Sequence, residues 1–469
     1  MEIVKLILDT FGSTIIVPII VFILSIAMKV APKTAFQGSL YMGVGLTAFN
    51  IILGALMGSL GSVVSQMVAT TSINLPGIDV GWAAGAVIVY ANTIGMFYLV
   101  FGIFVNLFLF AVKWTDTFQP TDIWNYYQFL FWAAIVQYVT GSFILAVAAA
   151  TYLNLVVLLI ADLIGPSLSE HYGYDGVTST CFAATNGAPF AILMKWILKK
   201  TGLLDKIVLD PVSLRDKVGF WGEPMMMGAI IGTILAIIAN WSNLAAMATW
   251  KTILATGITT GAIMALYPAV SGLFVKGLIP ISQTMNKRLR SGEMKRDGFH
   301  ISIDPAVFFG EEANLAAGLV LIPIMLLIAI IQPGNRMLPL ADLCAMPFMI
   351  IAITAVFKGN IFGIVLTGAI WYTIGQALNS TILEIFTQAA AAAGVAEATG
   401  GSLISAWSLG VIPYGWLGYK AFSSGTVAIA IAVIVYLAIY FLFRKNKTAW
   451  QIAAGATPEY IESRKAKKA

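Results

Sequence analysis

Residues 123–161, IWNYYQFLFWAAIVQYVTGSFILAVAAATYLNLVVLLIA, run without a charged side chain. An apolar helix needs about 20 residues to cross the hydrocarbon core of a bilayer, so this interval is too long for one crossing. Outward from it, further charge-free intervals lie at 80–112, 224–250, 252–275, 313–335, 359–383 and 421–443. Of the 469 residues, 59% are apolar and 10% charged, and mean hydropathy is +0.88. A soluble protein carries roughly 25% charged residues; this chain cannot cover a water-facing surface, which excludes a cytosolic enzyme. Two cysteines, Cys181 and Cys344, and two histidines, His171 and His300, argue against a disulfide framework, an iron–sulfur site or a His-based metal centre. The net charge of +5 sits in short basic clusters between apolar runs, not in a nucleic-acid patch. The chain reads as an all-α polytopic membrane protein with no metal or cofactor.

Breaking the apolar runs at Gly, Pro, Asn and charged residues gives about eleven spans: 12–28, 37–60, 83–111, 127–149, 151–166, 223–240, 250–275, 315–331, 341–357, 361–379 and 424–443. With the amino terminus outside, all basic residues except Lys5, Lys251, Arg336 and Lys420 fall on the cytoplasmic side. The groups at 195–217 and 276–296 form basic cytoplasmic loops in this reading, and the carboxyl terminus is inside. Glu2, Asp9 and the lack of an A-x-A site argue against a cleaved signal peptide. Residues 1–450 then form one transmembrane unit, and 451–469 a basic cytoplasmic tail.

Three stretches are too polar for lipid and too apolar for water: 176–194 (GVTSTCFAATNGAPFAILM), 301–316 (ISIDPAVFFGEEANLA) and 380–418. Non-helical backbone at membrane depth survives only when buried in protein or lining a cavity. These stretches therefore read as re-entrant hairpins, with interfacial loops as the alternative. An internal echo points to an inverted repeat: Lys33-Thr34 and Lys251-Thr252 each open a Gly-rich span, five spans apart.

An ionisable residue within the membrane suggests function by default. Glu223 precedes Pro224 at a helix start, where a carboxylate also suits the helix dipole. Asp304 precedes Pro305 and can cap a helix beginning there, which would bring Glu311 to the same face at i+7. Capping does not account for Glu311 and Glu312. Asp162 and Asp342, at span ends, read as structural, and both cysteines as small buried hydrophobes. A neutral sugar or polyol needs many hydroxyl partners. Candidates are Asp122, Trp124, Asn125 and Gln128 in DIWNYYQ, then Gln137 and Thr140, then Asn186 in the first hairpin; interhelical hydrogen bonding is the alternative.

The segments DIWNYYQFLFWAAIVQYVTGS, RDKVGFWGEP, ISIDPAVFFG, QPGNRMLPLADL and FKGNIFG resemble the membrane (IIC) component of the galactitol-type bacterial phosphotransferase system, over about residues 5 to 445. A more distant similarity is to the ascorbate-transporting branch. The resemblance implies an eleven-span homodimer in the inner membrane, with a core transport domain and a V-shaped dimerisation domain. It also implies that a polyol or sugar is carried inward and phosphorylated by a cytoplasmic IIB protein bearing a phosphocysteine, itself served by a IIA protein. Neither cysteine here lies in a soluble phosphate-binding loop, so the phosphoryl donor belongs to a separate chain. In the ascorbate branch an Asp matching Asp304 lies at the substrate, which assigns Asp304 the orienting, catalytic role. Trp124, Asn125, Gln128, Gln137, Asn186, Glu223, Glu311 and Glu312 are the expected substrate contacts. Galactitol-type members can carry His where this chain has Gln128, Gln137, Cys181 and Glu311, so the polyol can differ within the same transport class. A rival reading is an ion-coupled secondary transporter using Glu311 and Glu312. An intramembrane enzyme is disfavoured by the lack of a His, Cys or metal constellation.

Overall fold

The computed structural model describes residues 29–71, 75–82, 92–209, 219–290, 298–392 and 403–464, with scattered positions among 10–26, 85–89 and 211. Much of the expected span 12–28, the start of 83–111, part of the third hairpin and the tips of both basic loops lie outside the described residues.

In chain order the helices are α1 (Pro32–Thr71), α2 (Thr93–Ala111), α3 (Tyr127–Thr140), α4 (Phe143–Tyr172), α5 (Ala188–Lys200), α6 (Pro224–Ala239), α7 (Met247–Arg290), α8 (Glu312–Ile331), α9 (Ile361–Ser380), α10 (Leu383–Ala392), α11 (Pro413–Ser423), α12 (Thr426–Lys445), α13 (Lys447–Ala453) and α14 (Pro458–Ser463). Short helical turns join several of them. Among the described residues, α2, α4, α8, α9 and α12 are long and apolar enough to cross a membrane. Of these α12 is the least buried, and Val427, Ile431, Ile434 and Phe441 form an apolar outer face.

The first break falls where the opening stretch needs one, but earlier than expected. Gly141 takes a left-handed conformation (φ +66°) and ends α3, and Ser142 caps α4 by accepting from the Leu145 N–H at 3.2 Å. Instead of spans at 127–149 and 151–166, the chain makes a 14-residue half-helix and a 30-residue crossing. Every residue from Tyr127 to Val136 is buried, so α3 is wrapped by protein. The expected span 341–357 is likewise divided, into a 3-10 turn and two short helices ending at Ile351–Phe357. The expected loop 276–296 is helical as far as Arg290, as part of α7. Residues 447–463, which overlap the expected tail 451–469, pack on the end of α4: Thr457 donates to Glu170 at 2.7 Å and Tyr460 to Asp175 at 2.6 Å.

α1 has 40 residues and α7 has 44. At 1.5 Å per residue, each is about twice as long as the ~30 Å hydrocarbon core, so both are tilted or project beyond it. They touch at Gly38 and Gly277, where a Cβ on either residue would lie 2.8 Å from the other's carbonyl oxygen. Small residues allow such close helix contact in a membrane, and Gly228, Gly257 and Gly261 do the same between α6 and α7.

Among the described residues, the core holds two three-stranded parallel sheets of two- and three-residue strands: β1 (Gly77–Asp79), β2 (Thr117–Phe118), β3 (Val177–Thr178), β4 (His300–Ser302), β5 (Met337–Leu338) and β6 (Leu403–Ser405). The orders are β5-β1-β6 and β2-β4-β3. Each central strand comes from the opposite half of the chain to its neighbours. Ile78 pairs with Leu338 and Ile404, while Ile301 pairs with Phe118 and Val177. The sheets thus lock the halves together and satisfy backbone groups that lipid could not.

Candidate functional site

The chain leaves β2, turns at Asp122 and enters a single 3-10 turn, Ile123–Tyr126, before α3. Three residues per turn stack side chains at i and i+3, which brings Asp122, Asn125 and Gln128 into one column. Asn125 Nδ2 donates to Asp122 Oδ1 at 2.6 Å, and Gln128 Nε2 donates to Asn125 Oδ1 at 3.1 Å. Gln128 Oε1 accepts from the Ala183 N–H at 2.7 Å in the first hairpin. The second hairpin closes the group. Ser302 and Thr180 hydroxyls donate to Asp122 Oδ2, both at 3.1 Å, and Asn125 Nδ2 also reaches Asp304 Oδ2 at 3.3 Å. Asp304 Oδ1 accepts from the Ala306 N–H at 2.8 Å, capping a 3-10 turn at Pro305–Val307. One amide thus stands between two carboxylates.

This group forms the polar side of a cavity of about 60 Å³. Asn125, Gln128 and Asp304 line it together with the aromatic Tyr127, Phe309 and Phe348, and Trp82 and Ser408, which lie just after β1 and β6, are also part of the lining. Carboxylate and amide groups match hydroxyls as acceptors and donors, and the aromatic walls match the C–H faces of a carbohydrate.

A related arrangement in the other sheet is filled by the protein itself. Asp342 accepts from the Trp82 and Ser408 N–H groups at 2.6 and 2.8 Å. Asp79 accepts from the Trp407 and Asp342 N–H groups at 3.0 and 2.9 Å. Asp342 is held by backbone donors, as its expected structural role requires. Asp162 matches its structural reading in the same way: it takes the Thr115 and Thr117 hydroxyls at 2.9 and 2.8 Å.

Of the remaining candidates, Gln137, Asn186, Glu223, Glu311 and Glu312 are not among the cavity's lining. Gln137 lies near the end of α3 and donates to Thr93 at 2.9 Å. Asn186 is buried with its amide committed: Nδ2 donates to the Phe182 and Ala183 carbonyls, and Oδ1 accepts from Trp371 Nε1 at 2.6 Å. The exposed turn expected for Asn186 is not formed. Glu223 is exposed at the start of α6, ahead of Pro224. Glu311 caps α8, accepting from the Asn314 N–H at 2.7 Å, with His171 Nε2 at 3.7 Å from its other oxygen. Because α8 begins at Glu312 and not at Pro305, the expected i+7 alignment of Asp304 and Glu311 does not arise. Trp124 contributes backbone to the 3-10 turn; its side chain lies outside the described residues.

Asn186→Ala is therefore expected to lower the thermal midpoint while leaving ligand affinity within about twofold, since it strands the buried Trp371 N–H. Thermal unfolding and ligand titration on the same preparation check this; a selective loss of affinity would return Asn186 to the site.

Residues missed by the sequence reading include Ser302, Thr180, Tyr127, Phe348 and Ser408. For Ser302 a signal existed: it stands two residues from Asp304, the spacing that shares one side of extended chain.

Comparison with known proteins adds the family context. The family model described as "PTS system sugar-specific permease component" matches residues 6–400. The chain is 27% identical over 448 residues to the "PTS system galactitol-specific EIIC component" of Escherichia coli (strain K12), covering 95% of this chain and 97% of that protein. The protein of the same name from Escherichia coli O157:H7 matches to the same extent.

Proposed function

Because the chain belongs to the family of sugar-specific permease components of the phosphotransferase system, we propose that it carries a galactitol-like polyol or a sugar inward for phosphorylation by a separate IIB protein. The observation that carries this reading is the cavity where Asp304, Asn125 and Gln128 face aromatic side chains. In the proposed cycle a substrate hydroxyl donates to Asp304 Oδ2, and the amides of Asn125 and Gln128 fix neighbouring hydroxyls. Opening of the site inward then exposes the oriented oxygen to the phosphocysteine of IIB. Phosphoryl transfer depends chiefly on such positioning and electrostatics.

The same proposal takes in about eleven crossings, an outside amino terminus, an inside carboxyl terminus and a homodimer. The basic positive-inside pattern supports the orientation. An inverted repeat is supported by the exchanged central strands β1 and β4 and by the matched long helices α1 and α7. The alternative of an ion-coupled mechanism through Glu311 and Glu312 finds no support: Glu311 caps α8, and neither residue is among the cavity's lining.

The test is uptake of labelled galactitol and related polyols by cells expressing the chain with its IIA and IIB partners. Uptake is expected to require phosphoenolpyruvate, to yield phosphorylated product, and to survive collapse of the proton gradient. Accumulation of unmodified polyol that vanishes with the gradient would overturn the reading.

A further inference from the structure

A second cavity, of about 160 Å³, lies where the carboxyl-terminal helices meet β4 and the end of α4. It is lined by His300, Lys447, Thr448, Gln451 and Arg464, with Pro166, Gly298 and Ile461 completing the wall. His300 is only 4% exposed, and neither ring nitrogen has a hydrogen-bond partner. Its ring cannot retreat, because a Cβ on Gly165 behind it would already lie 3.0 Å away. Burial, then the cations Arg464 and Lys447, push the imidazole down to about 3, so at neutral pH it presents one N–H donor and one bare acceptor nitrogen.

The cations are held in place from outside the cavity. Lys447 Nζ lies 2.7 Å from Asp116, and Arg464 lies 3.2 Å from Asp175 while donating to the Phe299 carbonyl at 2.9 Å. Among the described residues, no carboxylate lines the cavity itself. Two fixed cations, a hydroxyl, an amide and an imidazole with an unmet donor and acceptor converge on a space large enough for several waters. A monohydrogen phosphate group supplies what they lack: negative charge, several acceptor oxygens and one O–H to donate to the bare nitrogen.

We propose that this cavity is a binding site for a phosphate group, separate from the polyol cavity, with His300, Lys447, Arg464 and Thr448 as its ligands. The site holds the phosphate of a free ion or monoester, or of a phosphatidic acid headgroup, itself a monoester; the chemistry is shared. It rests on local geometry and not on the transport reading, because binding is measured with neither polyol nor partner present.

The test uses the full chain in phosphatidylcholine nanodiscs and reads line broadening of inorganic phosphate by phosphorus NMR. Wild type is expected to broaden the line saturably. His300→Phe should weaken the affinity about tenfold or more, and Thr448→Val, which leaves both ion pairs intact, about threefold or more. Loss of broadening when phosphatidic acid is added identifies the headgroup as the competing source, and retention identifies the free ion; both support the site. No saturable broadening in wild type, or equal broadening in a folded Thr448→Val protein, overturns the proposal and leaves a cavity filled by water only.

Discussion

Asp304→Asn should cut polyol phosphorylation by about ten- to a hundredfold with little change in yield or thermal midpoint. Asn caps a helical turn about as well as Asp, so the bond from the Ala306 N–H is kept. What changes is the second oxygen, which faces Asn125 and the cavity. Replacing it with an NH2 group removes the acceptor for a substrate hydroxyl and turns a donor toward another donor. Partner-dependent phosphorylation in membranes, beside thermal unfolding, measures both sides of this expectation. Near wild-type turnover would leave Asp304 as a cap and nothing more.

Asn125→Leu should have a wider effect, abolishing measurable binding and also lowering stability. One amide nitrogen serves Asp122 at 2.6 Å and Asp304 at 3.3 Å, and its oxygen accepts from Gln128. Without it the buried Asp122 and the half-buried Asp304 face each other, and leaving one buried charge uncompensated costs about 3–5 kcal/mol. The double variant Asn125→Leu/Asp304→Asn removes one of the charges and should regain part of the lost stability without regaining binding. Thermal unfolding of the four proteins in a double-mutant cycle isolates this coupling. Strict additivity would mean that the carboxylates do not sense each other through Asn125.

The sequence made the apolar crossings legible because a charge-free interval has a fixed meaning in lipid. The helices α6, α8 and α9 lie close to their expected ranges for that reason. The half-helix α3 was not legible: Tyr127 to Val136 is as apolar as a crossing, and only the left-handed Gly141 shows that it turns back within protein. Strands of two and three residues carry too little periodicity to read, so the exchange of β1 and β4 between halves was invisible beforehand. Asn125, Gln128 and Asp304, singled out because polar groups at membrane depth need partners, come together at one cavity. Asn186 was placed there by the same logic, but its partner proves to be Trp371, 185 positions away. Glu311 misled because the helix was expected to start at Pro305, seven residues before its actual start at Glu312.

The central claim is that hydroxyl groups of the substrate occupy the space between Asp304 and Gln128. A structure of the chain determined with a bound hexitol tests it most directly. The account predicts ligand density within hydrogen-bond distance of Asp304 Oδ2 and of the Asn125 or Gln128 amide, with the carbon chain against Tyr127 and Phe348. Density at another position, with this cavity closed around its own side chains, would contradict it.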